Sequence, residues 1–263
     1  MLFFPQLSTG ASTLYPSIKR RFARTVANRL ADGSRYAFAD PDGAQTHWEL
    51  RARGLTGDEW AAIVALFRST QGMLKTFTLL DPTENLLAAS EDFSSSVWFK
   101  NPGIQLLSGV LDPLGSTRAT AIANAGAILS SIGQVINAPG DYRYCFSVWL
   151  RNTAAVDVAI SIASGVAQVR RTVSLTSVWQ RVFISGSPAA ATTQIGFALE
   201  LRPGDSIEVF GPQAEAQLAP SVYRRTGAVS GLRLVRFNSD RLTVTAQSSD
   251  VYDADIAVVS VGI

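Results

Sequence analysis

Tyr142-Arg143-Tyr144-Cys145-Phe146-Ser147-Val148-Trp149-Leu150-Arg151 reads as one β-strand with two unlike faces. Successive side chains of a strand point to opposite sides, so Tyr142, Tyr144, Phe146, Val148 and Leu150 share an apolar face. Arg143, Cys145, Ser147, Trp149 and Arg151 share the other. The first face belongs in a core. Gln194 to Leu201 repeats the pattern, with Ile195, Phe197, Leu199 and Leu201 on the apolar side and Gln194, Gly196, Ala198 and Glu200 opposite.

Outward from these two, further short strands recur about every ten residues. They run over 104–107, 118–123, 127–136, 156–162, 169–175, 178–184 and 206–210, with turns at Ala138-Pro139-Gly140-Asp141 and Arg202-Pro203-Gly204-Asp205. No helical period interrupts them. Such spacing predicts a β-sandwich or jelly roll over residues 85–226.

The flanks have a different style. Residues 20–54 predict a β-meander with turns at Asp32-Gly33 and Asp40-Pro41-Asp42-Gly43. A helix follows: Thr56 and Glu59 form a capping box, Leu55 and Trp60 a hydrophobic staple, and Gly72 the stop. Trp60, Ile63, Val64 and Phe67 lie on one apolar stripe of it. A strand near Thr76 to Leu80 ends at Asp81-Pro82-Thr83-Glu84. The strands after Gly227, over 232–237, 242–246 and 256–261, are too few to stand alone and are expected to pair with the N-terminal ones. The predicted fold is therefore mainly β: a sandwich or jelly-roll module, 85–226, inserted into a smaller β-rich domain with one α-helix, made of residues 1–84 plus 227–263.

Composition narrows the function classes. Charged residues are 17% of the chain and the net charge is +2, which gives little of the field that a nucleic-acid binder needs, so no sequence-specific nucleic-acid partner is expected. Lys19, Arg20, Arg21, Arg24 and Arg29 form one basic run, read as a solvated or subunit-facing strand. No stretch of about 18 apolar residues occurs, so membrane insertion is not expected. MLFFPQLSTG lacks the pattern of an export signal. Cys145 is the single cysteine, which rules out an intrachain disulfide.

Candidate chemistry is sparse. His47 is the single histidine, on the polar face with Gln45 and Glu49, and reads as a surface residue. Asp40, Asp42, Asp250, Asp253 and Asp255 match no loop of defined calcium-ligand spacing and read as turn formers. Neither a metal nor a cofactor is expected, and no residue is assigned a catalytic role. A Trp among Arg and Ser on an open sandwich face suits the apolar side of a pyranose ring. The candidate ligand-binding residues are Trp149 and Arg143 on one polar face, with Gln194 and Glu200 on the other. Trp149 also suits burial beneath a loop or the other domain, whereas Trp98 and Trp179 read as packing residues.

Asn85-Leu86-Leu87 through Ser90-Glu91-Asp92-Phe93 and Val97-Trp98 resembles the opening of the carbohydrate-binding-like jelly-roll modules carried by phage tail proteins. Other phrases follow in that family's order: Asp112-Pro113-Leu114-Gly115-Ser116-Thr117-Arg118-Ala119, Tyr144 to Arg151, Val178-Trp179-Gln180-Arg181-Val182, Phe210-Gly211-Pro212-Gln213-Ala214-Glu215 and Ser221-Val222-Tyr223. The flanks, with Tyr15-Pro16, Arg24 to Asn28, Leu30 to Ser34 and Leu55 to Trp60, are similar to the ring-forming domain of distal tail proteins. That resemblance implies a virion protein of the tail or baseplate, assembled in the host cytoplasm. It implies a homohexameric ring joining tail tube to tip, with tube and tip or hub proteins as partners. The module would then touch host surface glycan or brace its neighbours. Two other readings stay open: a free-standing carbohydrate-binding adhesin, and a polysaccharide-degrading tail enzyme built on a pair among Glu200, Glu208 and Glu215.

Overall fold

Two long strands, β1 (Leu14–Arg29) and β2 (Arg35–Leu55), pair antiparallel from Leu14↔Arg51 to Arg29↔Arg35. The turn between them is closed by the Leu30 amide donating to the Ser34 carbonyl at 2.9 Å, with Gly33 at φ +84°. Asp32 accepts from the Ser34 amide and hydroxyl, and those two bonds hold its carboxyl below the usual range. The expected turn at residues 40–43 is not formed, so the meander is one long hairpin instead. The register shifts between Phe22 and Arg24, and Pro41 falls in the resulting bulge, where a missing N–H costs no ladder bond. Asp40 steadies the bulge, accepting from the Gly43 amide at 3.2 Å and pairing with Arg24 at 3.4 Å.

Helix α1 (Gly57–Thr70) carries the expected capping box: Thr56 Oγ1 accepts from the Glu59 amide at 3.3 Å, and Glu59 Oε2 accepts from the Thr56 amide at 2.8 Å. Its left-handed stop is Gln71, one residue before the expected Gly72. The buried side chains are Ile63, Leu66 and Thr70, so the stripe is rotated from the sequence expectation, with Trp60 and Phe67 on its margin. Strand β3 (Phe77–Leu80) is buried throughout.

Ten strands follow: β4 (Phe99–Lys100), β5 (Ile104–Val110), β6 (Ala119–Asn124), β7 (Ser130–Ile136), β8 (Tyr144–Arg151), β9 (Asp157–Ser164), β10 (Ala167–Ser174), β11 (Gln180–Gly186), β12 (Ile195–Leu201) and β13 (Ser206–Glu215). They form two five-stranded sheets, ordered β10-β9-β12-β7-β4 and β11-β8-β13-β6-β5. Repeated crossing between the sheets makes this a sandwich of jelly-roll type. Phe197 of β12 stands edge-on to Tyr144 at 5.7 Å and tilted to Phe146 at 5.7 Å, which puts the apolar faces of β8 and β12 together in the core.

The phrases that carry the family resemblance meet in one buried clasp. Asn85 donates to the carbonyls of Pro212 at 2.9 Å and Arg224 at 3.3 Å, and its Oδ1 accepts from the amides of Leu87 and Ala214, each at 3.0 Å. Arg118 joins Asp112 at 3.1 Å and Glu91 at 3.2 Å, and its guanidinium lies 5.2 Å over Phe210. Tyr223 bonds Ser90 at 2.9 Å and donates to Glu91 at 3.1 Å. Burial alone raises the Asp112 carboxyl, but the amides of Ser116 and Leu114 together with Arg118 outweigh it and hold it low.

The chain ends in β14 (Leu232–Phe237), β15 (Val244–Ser248) and β16 (Val251–Ser260). β16 pairs with β2, completing a sheet of order β1-β2-β16-β14-β3 with β15 alongside β16. Its core gathers Phe4, Trp48, Phe77, Ile63, Phe237 and Ile256. The computed structural model describes residues 1–261 and divides into two compact units. The first holds residues 1–7, 12–79 and 233 onward, and the second residues 8–11 and 80–232. The two ends of the second unit meet: the Asp81 amide donates to the Gly231 carbonyl at 2.9 Å, and the Gly231 amide to the Asn85 carbonyl at 2.7 Å.

Candidate functional site

The four residues expected to bind a ligand do not converge. Trp149 lies on the outer face of the β11-β8-β13-β6-β5 sheet, and exposed Arg143 precedes β8, six residues away or about 20 Å along the strand. Gln194 precedes β12, and Glu200 lies on the outer face of the other sheet, where it accepts from Arg170 at 2.8 Å. Phe197 packed on Tyr144 and Phe146 makes the two outer faces point away from each other. Alternation within each strand was legible, but nothing in one sequence told which sheet each strand joins.

The face around Trp149 is built from two cross-strand rows. In one, Arg181 of β11, Trp149 of β8 and Phe210 of β13 stand side by side. In the next, Arg151, Glu208, Ala121 and Leu107 follow one another across β8, β13, β6 and β5. Arg151 donates to Glu208 at 2.5 Å and lies 4.7 Å over the ring of Trp179. Arg181 donates to Ser147 Oγ at 3.0 Å and to the Ser221 carbonyl at 2.6 Å, and burial holds its guanidinium below its ordinary pKa. Among the described residues, the indole N–H of Trp179 and Nε of Arg181 are buried and meet no hydrogen-bond partner, an arrangement folded proteins rarely leave unanswered. Sequence reasoning passed over Arg181, because the β11–β8 pairing that sets it beside Trp149 leaves no mark in one strand; Trp179, read as a packing residue, packs beneath Arg151.

The segment from Glu215 to Tyr223 roofs the neighbouring part of this face. Glu215 Oε2 accepts from the Ser221 amide at 3.0 Å, and Gln213 donates to the Val222 carbonyl at 3.4 Å. Cys145 and Ser147 are fully buried, whereas Trp149 stays half-buried. Loop cover therefore applies to part of the face and stops short of the tryptophan. Burial, reinforced by nearby Glu215, pushes the Cys145 thiol up to about 12. We expect iodoacetamide at pH 8 to label Cys145 more than about a thousandfold slower in the native protein than in denaturant, read by mass spectrometry. Ready native labelling would mean the roof opens.

The carboxylates do not oppose one another as a hydrolytic pair. Glu200 is on the far sheet, Glu208 is held by Arg151, and Glu215 is buried and held by Arg224 at 3.4 Å. In the first unit, Asp250 sits in the turn before β16 and accepts from the Gly57 amide at 2.9 Å, whereas Asp253 and Asp255, expected as turn formers, lie within β16: Asp253 accepts from the Gly54 amide at 2.8 Å beside the register shift, and Asp255 pairs with Arg53 at 2.6 Å. His47 stacks edge-on against Phe22 with ring centroids 4.7 Å apart.

The fold and this face define a β-sandwich module whose outer sheet carries Trp149 among arginines, its sequence flanked on both sides by segments of a second β-rich unit. No protein-family model matches the sequence, and no curated protein matches it. Among solved structures, the chain is similar to the enzymatically active domain of bacteriophage CBA120 tailspike protein 4. The identity is 12% over 52% of this chain and 22% of that one, with a TM-score of 0.40, so the chain spans about a fifth of the tailspike chain. It is similar to TmCBM61, solved with β-1,4-galactotriose, at 17% identity over 50% of this chain and 98% of that one, with a TM-score of 0.36. A third likeness is the CBM22-1 xylan-binding domain of Paenibacillus barcinonensis Xyn10C, at 9% identity over 52% and 97%, with a TM-score of 0.41.

Proposed function

We propose that this chain is a non-catalytic structural protein of a phage tail tip. The first unit assembles with further copies into a ring between tail tube and tip, and the sandwich contacts host surface glycan through the Trp149 face or braces its neighbours. The supporting observation is the closed sandwich whose ends meet at Asp81 and Gly231, the form in which a module can be carried without disturbing the domain that bears it. For glycan contact the support is local: half-buried Trp149 offers an apolar plate, with the Arg151–Glu208 pair in the next row of the same face as polar groups beside it. Several weak sites on one ring would act together through multivalency.

A glycan array with the full chain tests the contact role. Binding to at least one glycan is expected, weakened about tenfold or more in Trp149→Ala, while Phe99→Ala on the opposite sheet leaves it unchanged. If wild type and Trp149→Ala are both silent, the glycan role is lost and bracing is what remains. The ring role is tested separately by negative-stain electron microscopy, where closed rings are expected.

A further inference from the structure

The β1–β2 hairpin is exposed at every residue from Arg20 to Ala39, on both faces. Beyond the bulge it is a two-stranded ribbon about 20 Å long, and among the described residues no third strand pairs with it. One face carries Val26 opposite Phe38 and Asn28 opposite Tyr36; the other carries Thr25 opposite Ala39, Ala27 opposite Ala37, and then Arg29 opposite Arg35. Phe22, Val26, Leu30, Tyr36 and Phe38 are 50%, 38%, 46%, 57% and 52% exposed. A bare two-stranded ribbon is marginal in water, and apolar patches of this size on soluble proteins mark contact surfaces.

We propose that this arm docks against a second copy of the chain, head to tail, as the contact that links neighbours in the ring. The inference rests on the ring reading above. Two observations select a second copy. The first is area: with about 100 Å² of each half-exposed aromatic available, plus Val26, Leu30 and the alanines, the arm offers roughly 500 Å², over half of what one partner contributes to a stable interface. The second is charge. Arg29 directly faces Arg35, an arrangement that costs stability unless an anion sits beside it. The same unit carries Asp250, Asp253 and Asp255 on and beside β16, where the sheet order puts β2 between them and β1. Asp255 is already paired with Arg53 at 2.6 Å, whereas Asp250 and Asp253 accept only uncharged donors, the amides of Gly57 and Gly54 and the Gln247 side chain, and keep lone pairs for an arginine. Complementary patches at two different places on one unit give a heterologous contact, the kind that closes rings.

The test uses the full chain in analytical ultracentrifugation over a concentration series, beside Tyr36→Ser/Phe38→Ser and Arg29→Glu/Arg35→Glu, with circular dichroism confirming that the fold is kept. Self-association is expected to weaken roughly a hundredfold in each variant. A Val26→Cys variant is mixed with a Thr245→Cys variant, treated with a bismaleimide and read by mass spectrometry; buried Cys145 stays unreactive, and the expected cross-link joins residue 26 of one copy to residue 245 on β15 of another. Oligomers unchanged by both double variants would overturn the arm contact and leave the ring reading standing. A chain monomeric at every concentration, with or without the arm substitutions, overturns both. Unchanged oligomers with lost affinity for DNA or for a tail-tube protein would assign the arm to that other partner and equally overturn this proposal.

Discussion

Replacing Asn85 by Ala is expected to lower the stability of the sandwich unit by about 4 kcal/mol. The side chain is fully buried and answers four backbone groups at once: the amides of Leu87 and Ala214 and the carbonyls of Pro212 and Arg224. Removing it strands two buried N–H donors, each costing roughly 1–3 kcal/mol, before counting the carbonyls. That is a large part of the roughly 5–15 kcal/mol available to a domain. Chemical denaturation with hydrogen exchange read on amides of β8 and β12 measures it. A loss under 1 kcal/mol would show that the clasp is water-filled rather than closed.

Phe197→Ala is expected to cost about 3–5 kcal/mol, for a different reason. Phe197 is fully buried and meets both Tyr144 and Phe146 from across the sandwich, so its removal leaves a cavity bounded by both sheets. Tyr144 is fixed by its hydroxyl donating to the Pro139 carbonyl at 2.7 Å and cannot swing in to fill the space. Phe99→Ala, at an exposed strand end, serves as the comparison and is expected to change stability by less than about 0.5 kcal/mol. Similar losses in the two variants would mean that the sheets are not locked through Phe197.

The strands were legible because their information is local. The two-residue alternation of 144–151 and 195–201 appears in one strand at a time, and the capping box of Thr56 and Glu59 spans one helical turn. The hairpin was misread at residues 40–43 because Asp-Pro-Asp-Gly has turn composition, while the bulge that absorbs it depends on Arg24, sixteen positions away in the chain. The site was misread for the same kind of reason. Outward-facing residues could be found strand by strand, yet whether Trp149 and Glu200 share a face depends on pairings such as Trp149↔Arg181 and Glu200↔Ser131. Asn85, Glu91 and Arg118, conspicuous in the family-like phrases, turn out to hold the chain's own backbone and side chains together.

The bond between Asp81 and Gly231 bears on how such a chain can change over generations. A module whose two ends already touch leaves a gap of one hydrogen-bonded pair when it is cut out. A single recombination event can then delete it, or replace it with another sandwich of the same end spacing, while the surrounding strands β3 and β14 remain neighbours in their sheet. Lineages that share the first unit are therefore expected to differ most between positions 80 and 232, with whole modules present, absent or exchanged.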